Sequence, residues 1–214
     1  MKVGILGSGD VGRALGTGFV ETGHEVMIGT RHPSEPALTD WKRTAGARAL
    51  IGSFAEAAAF GELIVVAAQG SATLDVLGMA GAERFRGKVV IDATNPLSFS
   101  AQGAPSLFVG QTDSLGEQVQ RALPGARVVK AFNTVGNEHF FRPSFPGGPP
   151  EMLIAGDDAA AKRTVSEVLR EFGWSPVDIG GIEGARVLEP LCVAWVRCAR
   201  ALGTRDIAFK LLRK

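Results

Sequence analysis

The chain has 214 residues, 45% of them hydrophobic and 21% charged, a balance that excludes disorder as its main state. At this length a single domain is expected, able to bury about 70% of its unfolded surface without disulfides or metals. Lys and Arg number 23 against 22 Asp and Glu, for a net charge of +1, whereas a phosphate-backbone binder carries a basic excess, so no nucleic-acid partner is expected.

In chain order, Lys2 to Leu6 reads as a short apolar strand. A Gly-rich turn follows, then an apolar-periodic helix from Val11 to Thr22 closed by Gly23. Glu25 to Gly29 is a second strand, Ala47 to Ile51 a weak one, and Ser53 to Phe60 a short helix. Leu63 to Ala67 is a strong buried strand, Ala72 to Ala80 a helix, and Lys88 to Asp92 a strand. Asp113 or Ser114 caps a helix to Leu123, and Arg127 to Phe132 is again a strand. Near-continuous Val and Ile runs alternating with helices predict a parallel sheet covered on both faces. Asn133 to Pro150 is irregular and too long for a casual connection, so it is a functional or a flexible loop. Met152 to Ala155 is a strand, Asp157 and Asp158 open a helix to Phe172, and Trp174 to Asp178 is a strand. Helical segments from Ile182 to Leu202 and Arg205 to Leu212 close the chain, with a kink or a start at Pro190.

The turn Gly7-Ser8-Gly9-Asp10-Val11-Gly12 is GxGxxG between a strand and a helix, which is the context a dinucleotide fingerprint requires. Gly7 permits the tight turn, Gly9 the close approach of a pyrophosphate, and Gly12 the packing of helix on strand. The helix N-terminus presents N–H groups and a positive dipole end to the phosphates. At the end of the second strand an NAD site places an acid for the ribose hydroxyl. This chain places Thr30, Arg31 and His32 there, with Ser34 nearby and no acid before Glu35. A carboxylate would repel a 2′-phosphate, whereas an Arg fork and hydroxyls bind it, so NADP(H) is expected over NAD(H). His32 either approaches that phosphate or stays solvated, and Arg31 as a purely solvated side chain is the alternative to its binding role.

Other strand ends face the same crevice, where ligands of open α/β sheets bind. Ala68 and Gln69 follow the strand at 63–67, Asn95 and Pro96 follow the strand at 88–92, and Asn133 opens a turn through Gly136 and Asn137. The two amides suit a carboxamide or a flat heteroaromatic ring, though Asn-Pro is also a plain turn signal. The fold expected is therefore α/β: a Rossmann-like, doubly wound, mainly parallel sheet extended by two C-terminal strands, with closing C-terminal helices. Residues 1–133 form the dinucleotide-binding core and 151–214 the extension.

No CxxC or GxSxG occurs, and His24, His32 and His139 show no helical i, i+4 pairing. Cys192 and Cys198, six apart on a helix, point in different directions and are too few for a disulfide framework or a zinc site. No metal site is expected, and Lys130 reads as an ion-paired structural lysine, with a catalytic lysine as the alternative. The opening MKVGILGSGD does not read as a secretory signal, and no apolar run approaches the ~20 residues of a membrane span. A cytoplasmic setting without a membrane partner is expected. The apolar stretch VLEPLCVAWV admits a homodimer face or a buried core helix.

The stretches GILGSGDVGRAL, IGTRHP, VVIDATNPL, VVKAFNTVG, LIAGDDAAAKRTV and the closing GARVLEPL and IAFKLL cover nearly the whole chain. On them the sequence resembles the coenzyme F420-dependent NADP oxidoreductases and the cytosolic reductase domain of six-transmembrane metalloreductases. The resemblance implies a Rossmann domain that binds NADP and passes hydride between nicotinamide and a deazaflavin (F420) or flavin ring. It implies that Ser8 to Val11 hold the pyrophosphate, that Thr30 and Arg31 hold the 2′-phosphate, and that Asn95, Pro96 and the Asn133–Asn137 turn line the nicotinamide side. In archaeal F420 members a His stands at the position of Asn133, while the AFNT version is similar to the flavin-linked domains; the acceptor is thus open. Direct hydride transfer needs no catalytic side chain, and the expected partner is a small-molecule hydride acceptor or donor. β-Hydroxyacid dehydrogenases and imine reductases share such an N-terminal half but add a large helical domain, for which the 32 residues after Ile182 are too few. A non-catalytic NADPH sensor or regulatory protein, or a dehydrogenase or reductase acting on another small molecule, is the remaining alternative.

Overall fold

Runs of Val, Ile and Leu leave no polar face to expose, so the strands they form are buried on both sides. The computed structural model describes every residue except Gln102, Ala104 and Arg213. Its strands are β1 (Lys2–Leu6), β2 (Glu25–Gly29), β3 (Ala49–Gly52), β4 (Leu63–Val66), β5 (Val89–Asp92), β6 (Leu97–Phe99), β7 (Pro105–Leu107) and β8 (Arg127–Lys130). Apart from the β6–β7 pair they form one parallel sheet in the order β3-β2-β1-β4-β5-β8. The strand order reverses between β1 and β4, where a crevice opens beyond the carboxyl ends.

Side chains alternate across the sheet. Ile5, Ile28, Val65, Ile91 and Val129 pack on one face with α1 (Asp10–Glu21), α2 (Pro36–Ala45) and α6 (Ala159–Glu171). Leu6, Ile64, Val66, Val90 and Val128 pack on the other with α3 (Phe54–Phe60), α4 (Thr73–Ala80) and α5 (Leu115–Ala122). Local chemistry starts several of these helices. Ser53 and Glu56 form a capping box on α3, Ser114 accepts from Glu117 N at α5, and Asp158 accepts from Ala161 N at α6.

The two added strands, β9 (Glu151–Ile154) and β10 (Ser175–Asp178), run parallel to each other. They join the edge of β8 through an antiparallel bridge in which Lys130 N donates to Ala155 O at 2.8 Å and Ala155 N to Lys130 O at 3.2 Å. The chain ends in α7 (Ala185–Leu202), preceded by a 3-10 turn at Ile182–Gly184. Pro190 lies inside α7 rather than at its start, so the Arg186 carbonyl loses its helical donor. Among the described residues no helix is long and apolar enough to cross a membrane.

Three elements differ from the sequence expectation. Helix α2 was not foreseen: between Pro33 and Gly46 only Leu38 and Trp41 are buried, too few to produce a periodic signal. The β6–β7 hairpin has three residues per strand, also below what alternation can reveal. The segment 205–212 is not helical. Gly203 ends α7 in the left-handed conformation at φ 65°, and the chain then runs irregularly over the 136–151 loop. Ile207 O accepts from Trp195 Nε1, Leu211 N donates to Glu151 Oε2, and Lys210 Nζ donates to Gly147 O. Partners outside the segment thus replace the ladder that its apolar spacing suggested.

Candidate functional site

The glycine-rich turn is shaped by two close approaches. Gly7 has φ 131°, and a Cβ there would overlap the Ala67 carbonyl; a Cβ on Gly12 would overlap Gly7 O. Gly9 is different: a Cβ there meets nothing within 4 Å. Its role is to leave open space over the start of α1, whose N-cap it is, without a side-chain cap. The first-turn N–H groups of α1 are therefore not taken by a side-chain cap and face that space. Asp10 sits in this turn, but its carboxylate turns back to Arg13 at 2.5 Å. Arg13 also donates to Ser8 O at 2.6 Å, so it braces the turn from outside.

Thr30 is buried, and its hydroxyl is shared between Ser8 Oγ and His32 N, both at 3.1 Å. It ties the two loops together and is not a free donor. Arg31, His32 and Ser34 are exposed, and the side chains of all three are without a hydrogen bond or ion pair among the described residues. Together they form an open polar rim at the end of β2.

Beyond β4, Ala68 is half-buried and exposed Gln69 opens a 3-10 turn at Gly70–Ala72. A Cβ on Gly70 would overlap Asn95 O, so this glycine lets the β4 and β5 turns touch. Buried Pro96 receives Phe108 N on its carbonyl at 2.9 Å, which fixes the base of the β6–β7 hairpin. Asn95 Nδ2 donates to Asn133 O at 2.9 Å, and Asn133 Nδ2 donates to Asn95 Oδ1 at 3.1 Å and Leu188 O at 2.9 Å. Phe132 sets this pairing up by adopting φ 61°, a left-handed conformation costing on the order of 1–3 kcal/mol. Its ring, 5.4 Å from that of Phe140 and 5.8 Å from that of Phe172, holds the strain in place. Asn133 Oδ1 is left buried with no partner among the described residues. Gly136 and Asn137 stand farther along: Gly136 packs against the Trp195 ring, and Asn137 Oδ1 accepts from Arg205.

Between these turns and α7 lies a pocket of about 660 Å³. Of the residues singled out in the sequence, it brings together Val11, Asn95 and Asn133. The rest of its wall comes from Phe99 of the hairpin, Phe132, Phe140, and Cys192, Trp195 and Arg200 of α7. Aromatic residues scattered over nearly a hundred positions carry no local motif, so only the fold assembles them. Burial pushes the Cys192 thiol up to about 11, which keeps it neutral near pH 7.

α7 is held over the strand ends by a buried cluster. Lys130 Nζ lies 2.9 Å from Asp92 Oδ2 and 2.8 Å from Glu189 Oε1, and all three side chains are at most 2% exposed. Asp92 Oδ1 also accepts from Thr94 N and Oγ1. Glu189 accepts from Leu115 N and Gly116 N, both at 3.0 Å, so its carboxylate meets the positive end of α5. Burial pulls the Lys130 pKa down, but the two carboxylates more than offset it and leave it raised. The cluster has no exposed atom to offer a ligand, as expected of a structural lysine.

Comparisons with known proteins bear on the fold and the family. Residues 2–96 fit the family model "NADP oxidoreductase coenzyme F420-dependent". Metalloreductase STEAP3 of Rattus norvegicus is 33% identical over 193 residues, 89% of this chain, but the chain spans only 36% of that relative's length. The crystal structure of an Arthrobacter sp. FB24 protein, provisionally assigned as an F420-dependent NADP reductase, superposes with TM-score 0.94 at 39% identity over 100% of both chains. An imine reductase of Bacillus cereus, at TM-score 0.68 and 18% identity over 94% of this chain and 62% of that one, shares the fold alone. The F420-dependent NADP reductase of Methanothermobacter marburgensis is 32% identical over 206 residues and 89% of each chain, and with it this chain belongs to the family of coenzyme F420-dependent NADP oxidoreductases.

Proposed function

We propose that the protein transfers hydride between NADP(H) and a second flat ring, a flavin or a deazaflavin of the F420 type. The observation that carries the reading is the 660 Å³ aromatic-walled pocket next to the glycine turn, lined also by Val11 and by the Asn95–Asn133 pair. Its size suits a drug-sized ligand with few polar fixing points.

The residues fit a dinucleotide. The open space at Gly9 leaves room for a pyrophosphate on the N–H groups of Ser8 to Gly12. Arg31, with His32 and Ser34 beside it and Thr30 holding the loop beneath, offers a 2′-phosphate donors that have no partner among the described residues. The buried, unpartnered Asn133 Oδ1 suits a carboxamide N–H, with Asn95, Pro96, Ala68 and Gln69 shaping that end of the cleft. Gly136 and Asn137 support the rim through Trp195 and Arg205. When bound, NADPH supplies the hydride, and the chain needs no nucleophile or acid–base pair for that step. The protein's part is to orient two rings and to keep water out with apolar walls.

Purified protein is to be mixed with NADPH, and the loss of NADPH absorbance followed with F420, FMN, FAD and riboflavin in turn. Oxidation with F420 alone makes the acceptor a deazaflavin, and shows that Asn133 serves where archaeal relatives carry a His. Oxidation with a flavin makes the protein a flavin reductase. NADPH binding without oxidation by any of the four defeats the proposal in favour of a sensor.

A homodimer belongs to the same proposal. The outward face of α7 carries Val187, Pro190, Ala194 and Cys198 exposed at helical spacing, with Val187 64% exposed. Light scattering behind size exclusion should give twice the chain mass, and Val187→Lys should give the monomer; a monomeric wild type refutes the pairing.

A further inference from the structure

Two arginines stand at the mouth of the pocket, and their surroundings differ. Arg205 Nε lies 2.6 Å from Glu138 Oε1, and its Nη2 donates to Asn137 Oδ1 at 3.1 Å. Burial works to raise the Glu138 carboxyl, but Arg205 outweighs it and holds the group below the usual carboxylate range. The charge of Arg205 is thus matched. Arg200 has no such partner. It donates to the Gly103 carbonyl, and its guanidinium sits 5.5 Å from the centre of the Phe99 ring. Neither contact cancels a full charge, and no carboxylate lies within ion-pair distance of it among the described residues. Among those residues the pocket lining contains no Asp or Glu. Phe99, half-exposed, stands beside the guanidinium at the rim of a pocket whose lining is largely apolar.

We propose that Arg200 is a specificity-determining residue, selecting acceptors whose ring carries an anionic side chain, a phosphate or a carboxylate, over the same ring without one. The inference rests on the hydride-transfer reading above and deepens it. The ring lies among Phe132, Phe140 and Trp195, and the anionic oxygens meet the guanidinium fork at the mouth. An ion pair at this rim discriminates because the hydroxyls of a neutral side chain can accept from the fork but bring no charge to match it.

Three probes share one isoalloxazine ring: riboflavin, FMN with a phosphate, and N10-carboxymethylflavin with a carboxylate. Binding to NADP⁺-loaded protein is read from flavin fluorescence, and turnover from NADPH absorbance. Wild type should favour FMN over riboflavin by at least about tenfold in Kd and kcat/KM, the size of one charge-assisted hydrogen bond. The preference should fall with added salt. Arg200→Gln should bring the FMN-to-riboflavin ratio close to one, and Arg200→Lys should restore part of it. If Arg200 only fastens the hairpin, its loss weakens all three probes alike and the ratio stays, which overturns the proposal. A carboxylate probe matching FMN extends the selection to any anion; one matching riboflavin restricts it to phosphate. FMN bound through Arg200 but never reduced defeats hydride transfer to flavin and leaves the anion site standing. Equal turnover of FMN and riboflavin, or no binding of any probe, defeats the anion site.

Discussion

Replacing Lys130 by methionine is expected to destabilise the protein by about 3–5 kcal/mol, the usual cost of removing one partner of a buried ion pair. For a chain of this size that is a fall in Tm of about 6–20 °C, measurable by calorimetry. Lys130 is the cation of a cluster that is otherwise two carboxylates, Asp92 at 2.9 Å and Glu189 at 2.8 Å, with no access to water. Thr94 and the N-terminus of α5 stabilise those carboxylates but bring no unit charge. The deficit should depend on pH in a defined direction. In the wild type, the raised pKa of Lys130 means that its contribution is complete below the ordinary lysine range and is lost only as pH climbs through the raised value. Adding Asp92→Asn to Lys130→Met should recover part of the loss. A Tm change under about 3 °C would show that the cluster is neutral to stability. Because α7 carries both Glu189 and the pocket wall from Cys192 to Arg200, the folded fraction of the variant should also bind a second ring poorly.

The strands themselves and the glycine turn could be read in advance because both are local. β1, β4, β5 and β8 are short runs of Val, Ile and Leu, and Gly7, Gly9 and Gly12 fall at the spacing that a phosphate turn demands. The two added strands were legible for the same reason. The pocket was not, because it is made of tertiary coincidences. Phe99 reaches it from a three-residue strand, Trp195 and Arg200 from a helix nearly a hundred residues later, and Phe132 through a backbone turn that sequence does not favour. The stretch 205–212 failed in the opposite way. Its apolar spacing is helical, yet Trp195, Glu151 and Gly147 engage its polar groups from outside. Asn133 lies between these cases: the sequence places it at a strand end, but only the structure shows one amide oxygen left without a donor.

Arg31→Asp is expected to weaken NADPH binding by roughly 100-fold while changing NADH binding by less than about threefold, as measured by calorimetric titration of each nucleotide. The argument begins with what surrounds the residue. Arg31 is exposed at the end of β2, and its side chain has no partner among the described residues. Thr30 below it is committed to Ser8 and His32 N, so the loop is held in place whether or not Arg31 is present. An exposed, unpartnered side chain changes stability by only about 0.5 kcal/mol when replaced, so lost affinity in the variant reports on the ligand and not on folding. The two nucleotides differ by one phosphate on the adenosine ribose. An arginine fork gains charge-assisted hydrogen bonds from that group alone, and an aspartate in its place repels it. The ribose hydroxyl of NADH finds in the aspartate the acceptor that dinucleotide sites selective for NAD supply, which protects or improves NADH binding. The loss with NADPH should also shrink as salt rises, since the group is open to solvent. Equal losses for both nucleotides would mean that Arg31 supports the loop and reads no phosphate, and the preference for NADP would then have to come from His32 and Ser34.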